Sequence, residues 1–113
     1  MINKDDIIIT LSKWKKNELS KEQVKRWAEN IVDNNIDILP EYDFDRLIEV
    51  LRYLENLDMN LVIKDDIDNC INFLQSKKNL KQATKEWESY LAKIDYDYRR
   101  LTLRNDPFYE KYC

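Results

Sequence analysis

The stretch DILPEYDFDRLIEV, residues 37–50, sets Asp37, Glu41, Asp43 and Asp45 among Leu39, Tyr42 and Phe44, with no cation before Arg46. Carboxylates this dense suit either metal-dependent catalysis or electrostatic recognition of a basic partner. Asp43 and Asp45 form a D-x-D pair. On a helix two such residues point to different faces, so they converge on a magnesium ion only if a turn lies between them. The glycine and the spaced glutamate of a calcium-binding loop are missing.

The rest of the chain offers little other chemistry. Histidine is absent, and with it the commonest general base and zinc ligand. Glycine is absent too, which removes phosphate-cradling loops and disfavours hairpin-rich folds. Cys70 and Cys113 are the only thiols. Their spacing gives neither a metal motif nor a disulfide framework, which suits a reduced, cytosolic setting. A nucleophilic Cys70 would lack a histidine base, so its place in a helical stripe reads as core packing. Arg99, Arg100 and Arg104 lie among Tyr96, Tyr98 and Tyr109, a mixture able to meet nucleic acid by phosphate contact and stacking, or to make salt bridges at a solvated helix end. No metal or cofactor is expected.

These residues must be carried by helices, because apolar positions recur at helical spacing along almost the whole chain. Asn3, Asp5 and Asp6 open a first helix whose stripe is Ile7, Ile8, Leu11 and Trp14. Ser20 and Gln23 have capping-box spacing before Val24, Trp27, Ala28 and Ile31. Pro40 is expected at or near the first turn of a third helix, with the stripe Phe44, Leu47, Ile48, Leu51, Leu54 and Leu57. After a brief extended link, acids at 65 and 66 open a fourth helix containing Ile67, Cys70, Ile71 and Leu74. The alternation from Leu80 through Ala83, Trp87, Leu91, Ile94 and Tyr98 to Leu101 predicts the longest helix, of about six turns. Asp106 and Pro107 then start a last short turn with Phe108, Tyr109 and Tyr112. The three tryptophans sit in these stripes as core residues.

The expected fold is therefore all-α, one domain over residues 1–113, an irregular bundle of about five helices. At 113 residues, with 43% hydrophobic and 36% charged residues, the chain can bury a core without staples. Its start has neither signal-peptide nor membrane-span character, so a cytoplasmic protein is expected, a monomer or weak dimer when free. The final seam leaves an obligate dimer as a further possibility.

Charge distribution bears most on function. From Glu29 to Asp68 twelve acids face three cations, whereas from Lys77 to Cys113 nine cations face six acids. Glu41, Asp45, Glu49 and Arg52 follow at spacings of four, four and three on a ridge opposite the apolar stripe, and three like charges so placed repel unless something cationic covers them. Asp33 and Asp37 just upstream and Asp58 just downstream add to the field, and Tyr42 and Tyr53 are candidate rigid anchors beside it. The expected binding face is thus Asp37, Glu41, Tyr42, Asp43, Asp45, Glu49 and Tyr53, and its expected partner is a basic protein, with nucleic acid disfavoured by the net charge of −3.

The segments LSKWKKNELSKEQVKRWAENI and FDRLIEVLRYLENLDMNLVIKDDI carry L-x-x-W, then E-L-x-x-E-x-V-x-x-W-A, then a leucine-rich helix and an acid-rich restart. In this pattern, over roughly residues 8–74, the chain resembles the helical immunity proteins of bacterial contact-dependent growth inhibition. The resemblance implies a cytoplasmic, non-enzymatic, stoichiometric inhibitor that binds one cognate toxin, for which a basic nuclease-type domain is the natural complement. The alternative is a nucleic-acid-associated or regulatory module using the arginine and tyrosine end.

Overall fold

The computed structural model describes all residues from Met1 to Cys113. It contains six α-helices, α1 (Lys4–Lys15), α2 (Lys21–Asn34), α3 (Phe44–Glu55), α4 (Ile67–Gln75), α5 (Leu80–Ala92) and α6 (Tyr96–Leu103), with short 3-10 turns and no strand. The helix starts follow local chemistry. Asn3 Oδ1 accepts from the Asp5 and Asp6 amides at 2.9 and 3.2 Å, and Asp6 returns a carboxylate to the Asn3 amide. Ser20 and Gln23 complete the same reciprocal box on α2. Asn79 caps α5 through the Gln82 amide.

The core is one continuous cluster. Ile7, Leu11, Val24, Ala28, Leu47, Leu51, Leu54 and Leu57 are fully buried, and α2 lies along α3 as the most extensive helix pair while α4 bridges α1 and α5. Trp14 and Trp87 are core residues, and Trp27 is half-buried at the edge of the core. Truncating a fully enclosed leucine such as Leu51 to alanine costs about 2–5 kcal/mol in such settings. No helix is long and apolar enough to cross a membrane.

One expectation needs correction. The long final helix is two helices, because the chain turns at Lys93 and restarts with the Asp95 carboxylate accepting from the Tyr98 amide at 3.0 Å. The side-chain cap competes successfully with helix continuation, so the count rises from five to six. The seam breaks with it, leaving Tyr98 and Leu101 63% and 61% exposed. Pro40 lies near the start of the third helix, where it precedes a 3-10 turn (Glu41–Asp43) that runs directly into α3 at Phe44.

The link between α3 and α4 is held from a distance. Leu61 sits at φ 51, in the left-handed region, with its side chain buried. Its carbonyl accepts from Arg99 Nη1 at 3.1 Å. Arg99 also grips Asp66 with both terminal nitrogens, at 2.7 and 2.8 Å, and Tyr90 adds its hydroxyl at 2.8 Å. Asp66 returns a carboxylate oxygen to the Ile63 amide at 2.9 Å. Tyr109 donates its hydroxyl to the Val62 carbonyl. Thus α6, which buries no side chain completely, is fastened by polar contacts and by the aromatic tail behind it.

Candidate functional site

The acidic segment folds as three short pieces. A 3-10 turn at Ile36–Ile38 carries Asp37, the extended pair Leu39 and Pro40 is buried, the turn Glu41–Asp43 follows, and α3 begins with Phe44 and Asp45. A backbone bond from the Ile2 amide to the Ile38 carbonyl, 3.0 Å, ties the first turn to the chain's start. Burial of Leu39 anchors the segment and leaves its carboxylates outside. Asp37, Glu41, Asp45 and Glu49 are exposed and Asp43 is half-exposed.

None of these five carboxylates makes an ion pair or side-chain hydrogen bond, although ion pairs occur widely elsewhere. Asp68 meets Lys15, Asp58 and Glu29 meet Lys25, Asp106 meets Lys21 and Glu86 meets Lys78. Arg46, the one cation inside the segment, forms no ion pair with these acids, although it borders a depression together with Glu41, Asp43 and Asp45. Its guanidinium donates to the carbonyls of Phe73 and Lys78 and lies over the Phe73 ring. The segment's carboxylates are therefore left without a hydrogen-bonded counter-ion from their own arginine.

Around these charges the surface is indented. A groove of about 490 Å³ is lined by Ile36, Leu39 and Phe44 with Asp37, Glu41 and Asp45 on its rim. Tyr42, 85% exposed, stands between two further depressions, one shared with Asp45, Arg46 and Leu80 and one with Asn3, Lys4 and Asp5. Asp43 and Asp45 straddle the change from 3-10 turn to α-helix, and no three carboxylate or thiol groups in the molecule come together as a metal site.

Asp37, Glu41, Tyr42, Asp43 and Asp45 border these depressions, Glu49 lies one turn further along α3, and Tyr53 is not at this surface. That ring is only 9% exposed and packs edge-on against Trp87, with centroids 5.0 Å apart. It is a core residue, not a surface anchor, because Trp87 of α5 packs against it. Desolvation, followed by the nearby Asp66 charge, pushes its phenol well above the ordinary tyrosine range, and its hydroxyl has no hydrogen-bond partner.

At the other end of α3, Glu55 keeps one oxygen buried without a partner. Its carboxyl is raised above the usual range by desolvation first, then by the Asp33 carboxylate beside it. The arginine and tyrosine cluster near the C-terminus is divided: Arg99 holds Asp66 and Tyr109 is buried, whereas Arg100 meets Asp97 at 2.8 Å in an exposed pair and Arg104 and Tyr98 are exposed. Asp66, the most enclosed charge in the molecule, stood out in the sequence only as a helix-start acid, since its partner lies 33 residues further on.

No family model matches the chain, and neither a curated protein nor a solved structure matches it.

Proposed function

We propose that the protein is a non-enzymatic binder of a basic protein, of the toxin-immunity kind, acting in the cytoplasm through the face formed by residues 36–49. The observation that carries this reading is the set of five carboxylates without internal partners, arranged around an almost fully exposed tyrosine on a rigid helical scaffold. Such a face steers a cationic partner, and Tyr42 supplies a large contact at low entropic cost. Binding would cover a basic cleft and block access of its substrate.

The nucleic-acid reading is less well supported, since Arg99 and Tyr109 are already used within the fold. The deciding experiment retains the purified protein on a support, passes lysate of its own source over it and elutes with a salt gradient. A single basic protein at one-to-one ratio, toxic when expressed alone and harmless when co-expressed with this chain, is the expected result. Recovery of nucleic acid alone, or of a protein whose toxicity is not relieved, overturns the reading.

A further inference from the structure

Acidity alone would attract any cation, but the groove beside Leu39 has a more particular chemistry. Its floor is apolar, made by Ile36, Leu39 and Phe44, and three carboxylates from three successive structural pieces surround it. Leu39 is buried and belongs to the core, so the floor is fixed, whereas Ile36 and Phe44 are only half-covered. A simple ion would leave that apolar surface unused. A long side chain with a hydrocarbon stem and a cationic end would bury the stem and satisfy the rim together.

We infer that this groove is the seat of an arginine side chain of the partner protein, an inference that rests on the acidic-face reading above. Arginine fits better than lysine for two reasons. Its guanidinium offers five donors in a planar fork and can meet carboxylates on more than one side, whereas an ammonium is a compact, strongly hydrated point charge. Its flat cation also lies favourably on an aromatic ring, and Phe44 is the ring in this groove. Asp37 and Asp45 are eight positions apart, and it is the extended pair Leu39–Pro40 between two short turns that brings both to one rim.

Capped tetra-arginine and tetra-lysine peptides, titrated into the isotope-labelled full chain at low salt and followed by amide and methyl shifts, test this. The arginine peptide should bind about two- to fivefold more tightly, the range a surface cation–π contact supplies, with saturable shifts at Ile36, Leu39 and Phe44. Phe44→Leu, which keeps the floor apolar, should bring the arginine affinity down to that of lysine. Asp37→Asn, at an exposed position, should weaken the arginine peptide more than the lysine peptide. Equal affinities, with shifts confined to Glu41–Glu49 and none at Ile36 or Leu39, overturn the arginine seat while leaving the acidic face standing. Absence of binding by either peptide overturns both.

Discussion

Arg99 and Asp66, separated by 33 residues in sequence, meet through two nearly parallel hydrogen bonds of 2.7 and 2.8 Å, with Asp66 only 1% exposed. The pair joins α6 to the entry of α4, and its geometry satisfies the carboxylate completely with the help of Tyr90 and the Ile63 amide. Arg99→Ala would strand a buried charge, and about 3–5 kcal/mol of stability should be lost. Arg99→Lys should recover only part of this because it cannot make the fork. Urea unfolding at neutral pH measures both; a loss under about 1 kcal/mol for the alanine variant would contradict the structure.

Tyr53 offers a contrasting case. Removing its unpartnered hydroxyl by Tyr53→Phe should leave stability unchanged or raise it by up to about 1 kcal/mol, since a buried unsatisfied polar group is relieved. Removing the ring by Tyr53→Ala should cost about 3–5 kcal/mol through the cavity left beside Trp87. The two variants, compared by thermal and denaturant unfolding, separate ring packing from hydroxyl chemistry.

Glu55 makes stability depend on pH in a defined direction. Its folded carboxyl titrates above its unfolded value, so the folded state binds the proton more tightly. The penalty from Glu55 is therefore fully present above the raised folded value and disappears as pH falls below the ordinary carboxylate range. Glu55→Gln should stabilise the protein by a few tenths to about 1 kcal/mol at pH 7, after allowance for solvent screening. The gain should shrink towards zero in acid. A gain independent of pH would show that the charge is not its cause.

The acidic face predicts a conflict between stability and binding. Asp45 and Glu49 are one helical turn apart and neither is paired to a cation, so Glu49→Gln should raise low-salt stability by a few tenths of a kcal/mol, whereas the triple variant Glu41→Lys, Asp45→Lys and Glu49→Lys exchanges one like-charged row for another and should leave helicity intact without that gain. The same triple variant should slow association with a basic partner by about tenfold or more at low salt and flatten the salt dependence of the rate. Circular dichroism and stopped-flow mixing read the two effects independently. Unchanged association would remove the acidic face from the binding mechanism.

Much of the architecture is legible in the sequence because its signals are local. Asn3, Ser20 and Asn79 cap the helices they precede, and period-three-and-four stripes identify the buried sides. The break at 93–95 is hidden because apolar spacing continues through it, while the deciding event is the Asp95 side chain turning to its own backbone. Tyr53 misleads for another reason. Val50 and Tyr53 form a second apolar row beside the stripe that runs from Phe44 to Leu57, and both are buried because α3 is covered on more than one side. The exposed carboxylates are legible as a cluster, but the bonds of Arg46 to Phe73 and Lys78 join distant segments, and the groove joining Asp37 to Asp45 depends on two short turns that apolar spacing does not signal.

Leu61 has a consequence for how this chain can vary. Glycine there would relax the left-handed backbone, which costs a larger residue about 1–3 kcal/mol, yet it would empty a filled part of the interior. Asparagine would suit the same backbone but place an amide where no partner waits. Each substitution that mends one defect opens another, so the position is a local optimum that single changes cannot leave. The loop gripped by Arg99 is therefore a place where sequence drift should stall, even though its backbone is not at its own energy minimum.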